Sequence, residues 1–407
     1  MNLKRITLVC LGVFGAPAVA AAQSLTVSAP TSSVQIYGTI NVDVESVEMK
    51  GAASGQNFAR RNRVTSNSSN IGFRGSENLG AGLNGFFQVE SSVNIDDGTS
   101  SGFWASRNSG VGLQGGWGQL TLGQWDSPYK VSTTSIDPFG DVGIAGYSGI
   151  IGSTGSITAG QGGSNAAQRL SFERRVSNVV QYWTPTWGGF SGRFAYGAGD
   201  TNQGSAATGV SEASGLKPAL WAAMGAYTSG PLYATLAYEH HKDFQGLNTL
   251  LGAPQSKGND DGWKAGVLYK FASGLSVGGI YEHLQYKAED FNGLGQLERK
   301  IDNWYLVGRY DTGAHSFALS YGQKGEEKLS GAGFSDVPES KAHQISARYS
   351  YSFSKRTQLY ALATKITNDA NSLQQFGNAP LTSTLLFADP SRGADPTGYG
   401  IGMIHTF

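Results

Sequence analysis

Thiols, long apolar runs and any charge imbalance are almost missing from this chain of 407 residues. Its one cysteine, Cys10, lies within a stretch that reads as an export signal. Lys4 and Arg5 form the charged start, "ITLVCLGVFGAPAVA" the apolar centre, and Ala20-Ala21-Ala22 the cleavage site. A short membrane anchor is the other reading, but the apolar run falls short of the ~20 residues a helical span needs. Residues 1–22 are therefore expected to be removed, leaving 23–407 as one domain without thiol or disulfide. That excludes a small secreted fold stapled by disulfides. Loss of Lys4 and Arg5 leaves 28 basic against 30 acidic side chains. A balance so near zero gives no field for nucleic acid. Beyond the signal no run of 18 apolar residues occurs, so helical membrane spans are not expected.

What the chain has is glycine (58 residues), aromatics (8 Trp, 18 Tyr, 19 Phe) and alternation. In "SSVQIYGTINVDVES", Val34, Ile36, Ile40, Val42 and Val44 share one face. Gln35, Tyr37, Thr39, Asn41, Asp43 and Glu45 take the other. Such alternation outruns the usual soluble strand of about five or six residues. It suits a tilted strand of ~9–11 residues crossing a bilayer.

The same period returns in seven hairpins. "SNIGFRG" turns through "SENLGAG" into "LNGFFQVESSV", and "SGVGLQG" at "GWG" into "QLTLGQW". "VSNVVQYWT" turns at "PTWGG", "ALWAAMGAYT" at "SGP", "WKAGVLYKF" at "ASG", "NWYLVGRY" at "DTGA" and "QISARYSYS" at "FSKR". With a first and a last strand the total is 16. Tight turns alternate with long polar connections such as "QGLNTLLGAPQSKGND" and "GEEKLSGAGFSDVPES". That rhythm is the one an outer-membrane barrel shows. An open edge cannot stand in hydrocarbon, so the strand near Val34 should pair with the closing "GYGIGMIHTF", Gly398 to Phe407. Tyr399, Ile401, Met403, His405 and Phe407 should then share the lipid face.

Other motifs are weak. "GAGLNG", Gly80 to Gly85, matches a dinucleotide fingerprint but sits in a hairpin rather than opening a helix. His240-His241 lacks a metal-site spacing and reads as solvated residues where a strand meets a loop. "NIDDGTS" lacks the full calcium-loop spacing. No G-x-S-x-G elbow occurs. Neither catalysis nor a metal or other cofactor is expected. The longest connection, about 125–168, contains the low-complexity "GYSGIIGSTGSITAGQGGSN". A connection that long in a compact domain is usually functional.

"SSVQIYGTINVDVE", "SNIGFRGSENLGAGLNGFFQVES", "VGLQGGWGQLTLGQ", "RRVSNVVQYWTPTWGGFSG", "SFSKRTQLYA" and "IGMIHTF" occur in an order that resembles the Gram-negative trimeric general porins, the betaproteobacterial type above all. The resemblance covers essentially the whole mature chain. It implies an all-β fold: a 16-stranded antiparallel transmembrane β-barrel whose third external loop, here about 125–168, folds inward and narrows the pore. In such porins loop acids oppose wall bases. Arg74 matches a lumen-facing lysine, and Arg107 and Arg175 match two wall arginines, while a third falls at Asn70. "DPFGD" resembles the loop tip, with Asp137 and Asp141 as approximate acids. The resemblance also implies a homotrimer, with Asp96 and Asp97 on a loop that latches a neighbouring subunit, and Phe407 as the mark read by the barrel-assembly machinery. Solvated loop acids are the other reading of Asp96 and Asp97.

Alternation independently turns Arg74 away from Ile71 and Phe73, and Arg193 away from Phe190, Phe194 and Tyr196. Parity instead puts Arg107 in phase with Val111 and Leu113, against the resemblance. The other reading for these arginines is a rim position binding lipopolysaccharide or solvent. A charge at mid-depth on the lipid face costs roughly 2–4 kcal/mol. The expectation is a passive pore for small hydrophilic solutes and ions in the outer membrane of a Gram-negative bacterium, weakly preferring anions. A substrate-specific channel is one alternative; a barrel enzyme or adhesin with a plugged lumen is another.

Overall fold

The computed structural model describes residues 33–98, 104–140, 143–152, 172–198, 217–244, 247, 257–291, 293–377, 380–381 and 391–407. Residues 1–22, the expected export signal with Cys10, together with Asp141 and most of the low-complexity segment, lie outside the described residues. Among the described residues no helix is long and apolar enough to cross a membrane.

Strands make the wall. The chain opens with β1 (Ser33–Lys50), β2 (Phe58–Ser66), β3 (Asn70–Gly80), β4 (Leu83–Ser92), β5 (Ser109–Gly115) and β6 (Gly118–Asp126). A short helix, α1 (Pro128–Val131), precedes β7 (Arg175–Trp183), β8 (Phe190–Ala198), β9 (Ala219–Ser229), β10 (Leu232–Lys242), β11 (Gly258–Lys270) and β12 (Leu275–Ala288). The ring finishes with β13 (Leu297–Thr312), β14 (His315–Lys324), β15 (Lys328–Gly331), β16 (Ala342–Ser352), β17 (Thr357–Asn368) and β18 (Asp395–Thr406). Eighteen segments make sixteen staves. β1 pairs with β3 along its first half and with β2 along its second, so those two continue each other across Asn67–Ser69. β13 likewise pairs with β14 and then β15. All pairings are antiparallel between neighbours in the chain, and β1 with β18 closes the ring.

The closure runs from Thr39↔Thr406 to Lys50↔Asp395. Gly38 and Phe407 then exchange backbone hydrogen bonds of 3.3 and 3.1 Å. A Cβ at Gly38 would lie 2.5 Å from the Asn70 carbonyl oxygen and 2.6 Å from the Phe407 ring, so only glycine fits this corner. The backbone groups along the seam are thereby paired, which hydrocarbon demands.

The period-two pattern sorts the faces as expected. Val34 and Ile401 are 70% and 68% exposed, whereas Asp43 and Glu45 on the inner face are buried. Tyr399, Ile401, Met403, His405 and Phe407 are all exposed on the outer side of β18. The "SENLGAG" turn is shorter than the sequence suggests: β3 runs on to Gly80, and only Ala81 and Gly82 make the bend. β2 and β15 fall in stretches read as loops. Both stand at the long-loop end.

Candidate functional site in the lumen

The connection after β6 enters the barrel. Ser127 caps α1 by accepting the Lys130 amide at 3.1 Å, with Pro128 preset for the first helical position. The chain then crosses the lumen, gripping staves in turn. The Tyr129 hydroxyl donates to Glu282 on β12 at 2.7 Å, and Tyr233 on β10 donates to the Ser132 carbonyl at 2.6 Å. Ile136 seats where a Cβ on Gly266 of β11 or Gly278 of β12 would come within 2.6 or 2.8 Å of it. The Asp137 carboxylate accepts Tyr305 of β13 at 3.0 Å and the Tyr147 amide at 3.2 Å. Gln344 of β16 donates to the Gly146 carbonyl at 3.2 Å. Ile144 reaches Gly398 on β18, whose Cβ would meet it at 2.6 Å. The Gly152 amide then returns to Glu282 at 2.7 Å, and Glu173 pairs with Lys264 of β11. Ile136, Phe139, Ile144, Tyr147, Ile150 and Ile151 are all buried, so the segment is a packed partition rather than a loose flap.

A row of charges lines the wall from β1 to β8. Arg63 donates to Glu45 at 2.6 Å, Arg107 to Glu90 at 2.5 Å, and Arg175 lies 3.2 Å from Asp126. The Tyr37 hydroxyl also donates to Glu90, at 3.0 Å. Asp126 is shared with Lys130 at 3.4 Å and accepts Asn108 at 2.9 Å. The side chains of Arg63, Arg107, Lys130 and Arg175 are 15–21% exposed, so each stays partly open to water. Arg74 bonds Gln35 at 2.9 Å and lies 4.7 Å over the Tyr37 ring. Arg193 lies 4.3 Å over the Trp183 ring.

The structure thus brings Arg74, Arg107, Arg175 and Arg193 to the inner face. The parity argument misplaces Arg107 because Trp104 and Ala105 have φ of 46° and 61°, and regular alternation starts only at Ser109. Asp137 lies inside the partition, with both oxygens engaged by it and by Tyr305. Asp96 and Asp97 are exposed beyond β4, apart from the lumen. Asn70, the thinned arginine position, is buried and bonds the Ser68 carbonyl.

The sequence reading missed Arg63, Lys130 and the acids Glu45, Glu90 and Asp126 as partners. "RRNRVTS" carries the signal, since Arg63 and Thr65 alternate around Val64, which is 52% exposed. The histidines also need correcting. His240 and His241 belong to β10 and, as strand neighbours, point to opposite faces. His240 meets Asp261 at 2.9 Å on the outside. His241 is buried between the Phe172 and Phe244 rings, each 4.4 Å away, and bonds Glu239 at 2.7 Å. The pair cannot chelate one ion.

The sequence pattern of the family described as Gram-negative porin matches residues 7–371. The chain is 30% identical to outer membrane porin protein 32 of Delftia acidovorans, over 98% of this chain and 99% of that one. It is 28% identical to an outer membrane porin protein of Bordetella pertussis, over 83% of this chain and 90% of that one. Among solved structures, the anion-selective porin from Comamonas acidovorans superposes with a TM-score of 0.70 at 26% identity, covering 93% of this chain and all of that one.

Proposed function

The chain belongs to the Gram-negative porin family, and on that premise we propose how its lumen selects what passes. It is a general porin of the outer membrane, a barrel that conducts small hydrophilic solutes passively. The observation that carries the reading is the buried partition, which crosses from β6 to β18 and faces a wall of partly exposed cations. The partition sets size. The wall sets charge.

Along the wall from β1 to β8, Arg63, Arg74, Arg107, Arg175 and Arg193, with Lys130 of α1, stand against Asp43, Glu45, Glu90 and Asp126, while on later staves Lys264 pairs with Glu173, Arg299 with Glu327 and Arg309 with Asp311. An excess that small supports a weak anion preference, in keeping with the anion-selective porin that the fold resembles. Asp137 acts as a staple of the partition rather than as a charge facing the arginines. Opposition across the pore is thus replaced by pairing along one wall. Planar-bilayer recording tests this: the purified barrel should conduct, with chloride favoured over potassium. A potassium-favouring reversal potential would overturn the charge assignment, and no conductance would favour a plugged lumen.

Assembly follows the same family logic. Residues 1–22 act as a cleaved signal, and the mature protein is a homotrimer latched through the Asp96–Asp97 loop. Phe407, seated against Gly38, serves the assembly machinery. Sequencing of the mature N-terminus should start at Gln23, and native mass measurement should give three copies.

A further inference from the structure

Most inner-face arginines of the barrel already have acceptors. Arg63, Arg107 and Arg175 hold carboxylates, Arg309 holds Asp311, and Arg348 is taken by Ser350, Gln358 and the Pro138 carbonyl. Arg193 differs. Among the described residues its guanidinium has no hydrogen-bond or ion-pair partner. It is nonetheless partly exposed and faces inward, since Phe190, Phe194 and Tyr196 hold the outer side of β8.

Its support is rigid. Arg193 lies opposite Trp183 across the β7–β8 ladder, 4.3 Å over the indole. Trp183 is itself fixed: its Nε1–H donates to Gln181 at 3.1 Å, and Trp125 meets it edge-on at 5.8 Å. Both tryptophans are buried. A guanidinium with one face on an indole keeps its N–H groups in its own plane, free at the edge. The charges that bear on it are few. Asp126 attracts it, but that carboxylate already serves Arg175, Lys130 and Asn108. The Tyr233 hydroxyl also lies near, but it donates to the Ser132 carbonyl and makes no hydrogen bond with Arg193. α1 rests against β8, β9 and β10, so this site borders the start of the partition.

We propose that Arg193, oriented by Trp183, is a binding station for carboxylate-bearing solutes in the lumen, separate in kind from the carboxylate-paired arginines. A planar carboxylate fits the free guanidinium edge through two parallel N–H···O bonds, a match that chloride cannot make. Passing carboxylates therefore dwell there, while chloride does not. This rests on the porin reading.

The test is single-channel conductance as a function of concentration, in potassium acetate and in potassium chloride. A station of this kind makes acetate conductance saturate while chloride conductance stays near linear. Arg193→Gln should raise the acetate half-saturation about tenfold, and Arg193→Lys, which keeps charge but loses the planar edge, by about threefold. Arg356→Gln, in the exposed turn between β16 and β17, should leave acetate saturation in place. Equal acetate curves for wild type, Arg193→Gln and Arg193→Lys would overturn the station while leaving a conducting porin intact. A wild-type protein that does not conduct at all would instead strike at the porin reading. Arg193→Lys keeps the test usable if the glutamine variant fails to fold.

Discussion

Arg175 and Glu45 pull the lumen in opposite directions, and each can be removed alone. Arg175→Ala deletes one partly exposed positive charge and leaves Asp126 to Lys130. A unit charge about 8 Å from a passing ion, at an effective dielectric near 40, is worth about 1 kcal/mol. The anion-to-cation permeability ratio should therefore fall two- to fivefold in dilute salt, and less in concentrated salt, where screening is stronger. Glu45→Gln does the reverse. It frees Arg63, now held at 2.6 Å, and should raise the same ratio by a similar factor. A fall in that variant would mean that pairing along the wall does not set the field. At this scale much was legible, because alternation turned Arg74 and Arg193 inward. The pairings were not, since Glu90 meets Arg107 across 17 positions and Asp126 meets Arg175 across a long insertion.

The partition is held as much by absent side chains as by present ones. Ile144 occupies space that a Cβ on Gly398 would take, beside Phe376 and Val47. Gly398→Val should overpack this contact at a cost of about 1–3 kcal/mol. The wall is locked by its ladder, so the partition yields, and single-channel recordings should show larger, noisier openings. Unchanged conductance would mean that the partition does not limit the pore. The seven hairpins were readable because each strand shows one face to lipid and the other to the lumen. β2 was not, for its run "FARRNRVTS" stands at the long-loop end, where Arg60 pairs outward with Glu48 at 2.5 Å. Outside the apolar belt, nothing forces an apolar outer face.

Closure belongs to the whole molecule. The β1–β18 ladder joins the two ends of the described chain, and its corner at Gly38 is filled by Asn70 and Phe407. Gly38→Ala should lower the urea midpoint of the folded barrel on heat-modifiability gels, by an overpacking cost of about 1–3 kcal/mol, without changing ion preference in the barrels that do form. A shifted preference would tie that corner to the lumen instead. A closed barrel with a slight excess of cations along one wall should form an open, weakly anion-preferring pore. The reversal potential of the purified protein across a potassium chloride gradient tests it most directly. Stepwise conductance with a modest potential of the sign that chloride permeation gives is expected; a potential of the potassium sign would refute a cation-lined, anion-preferring pore.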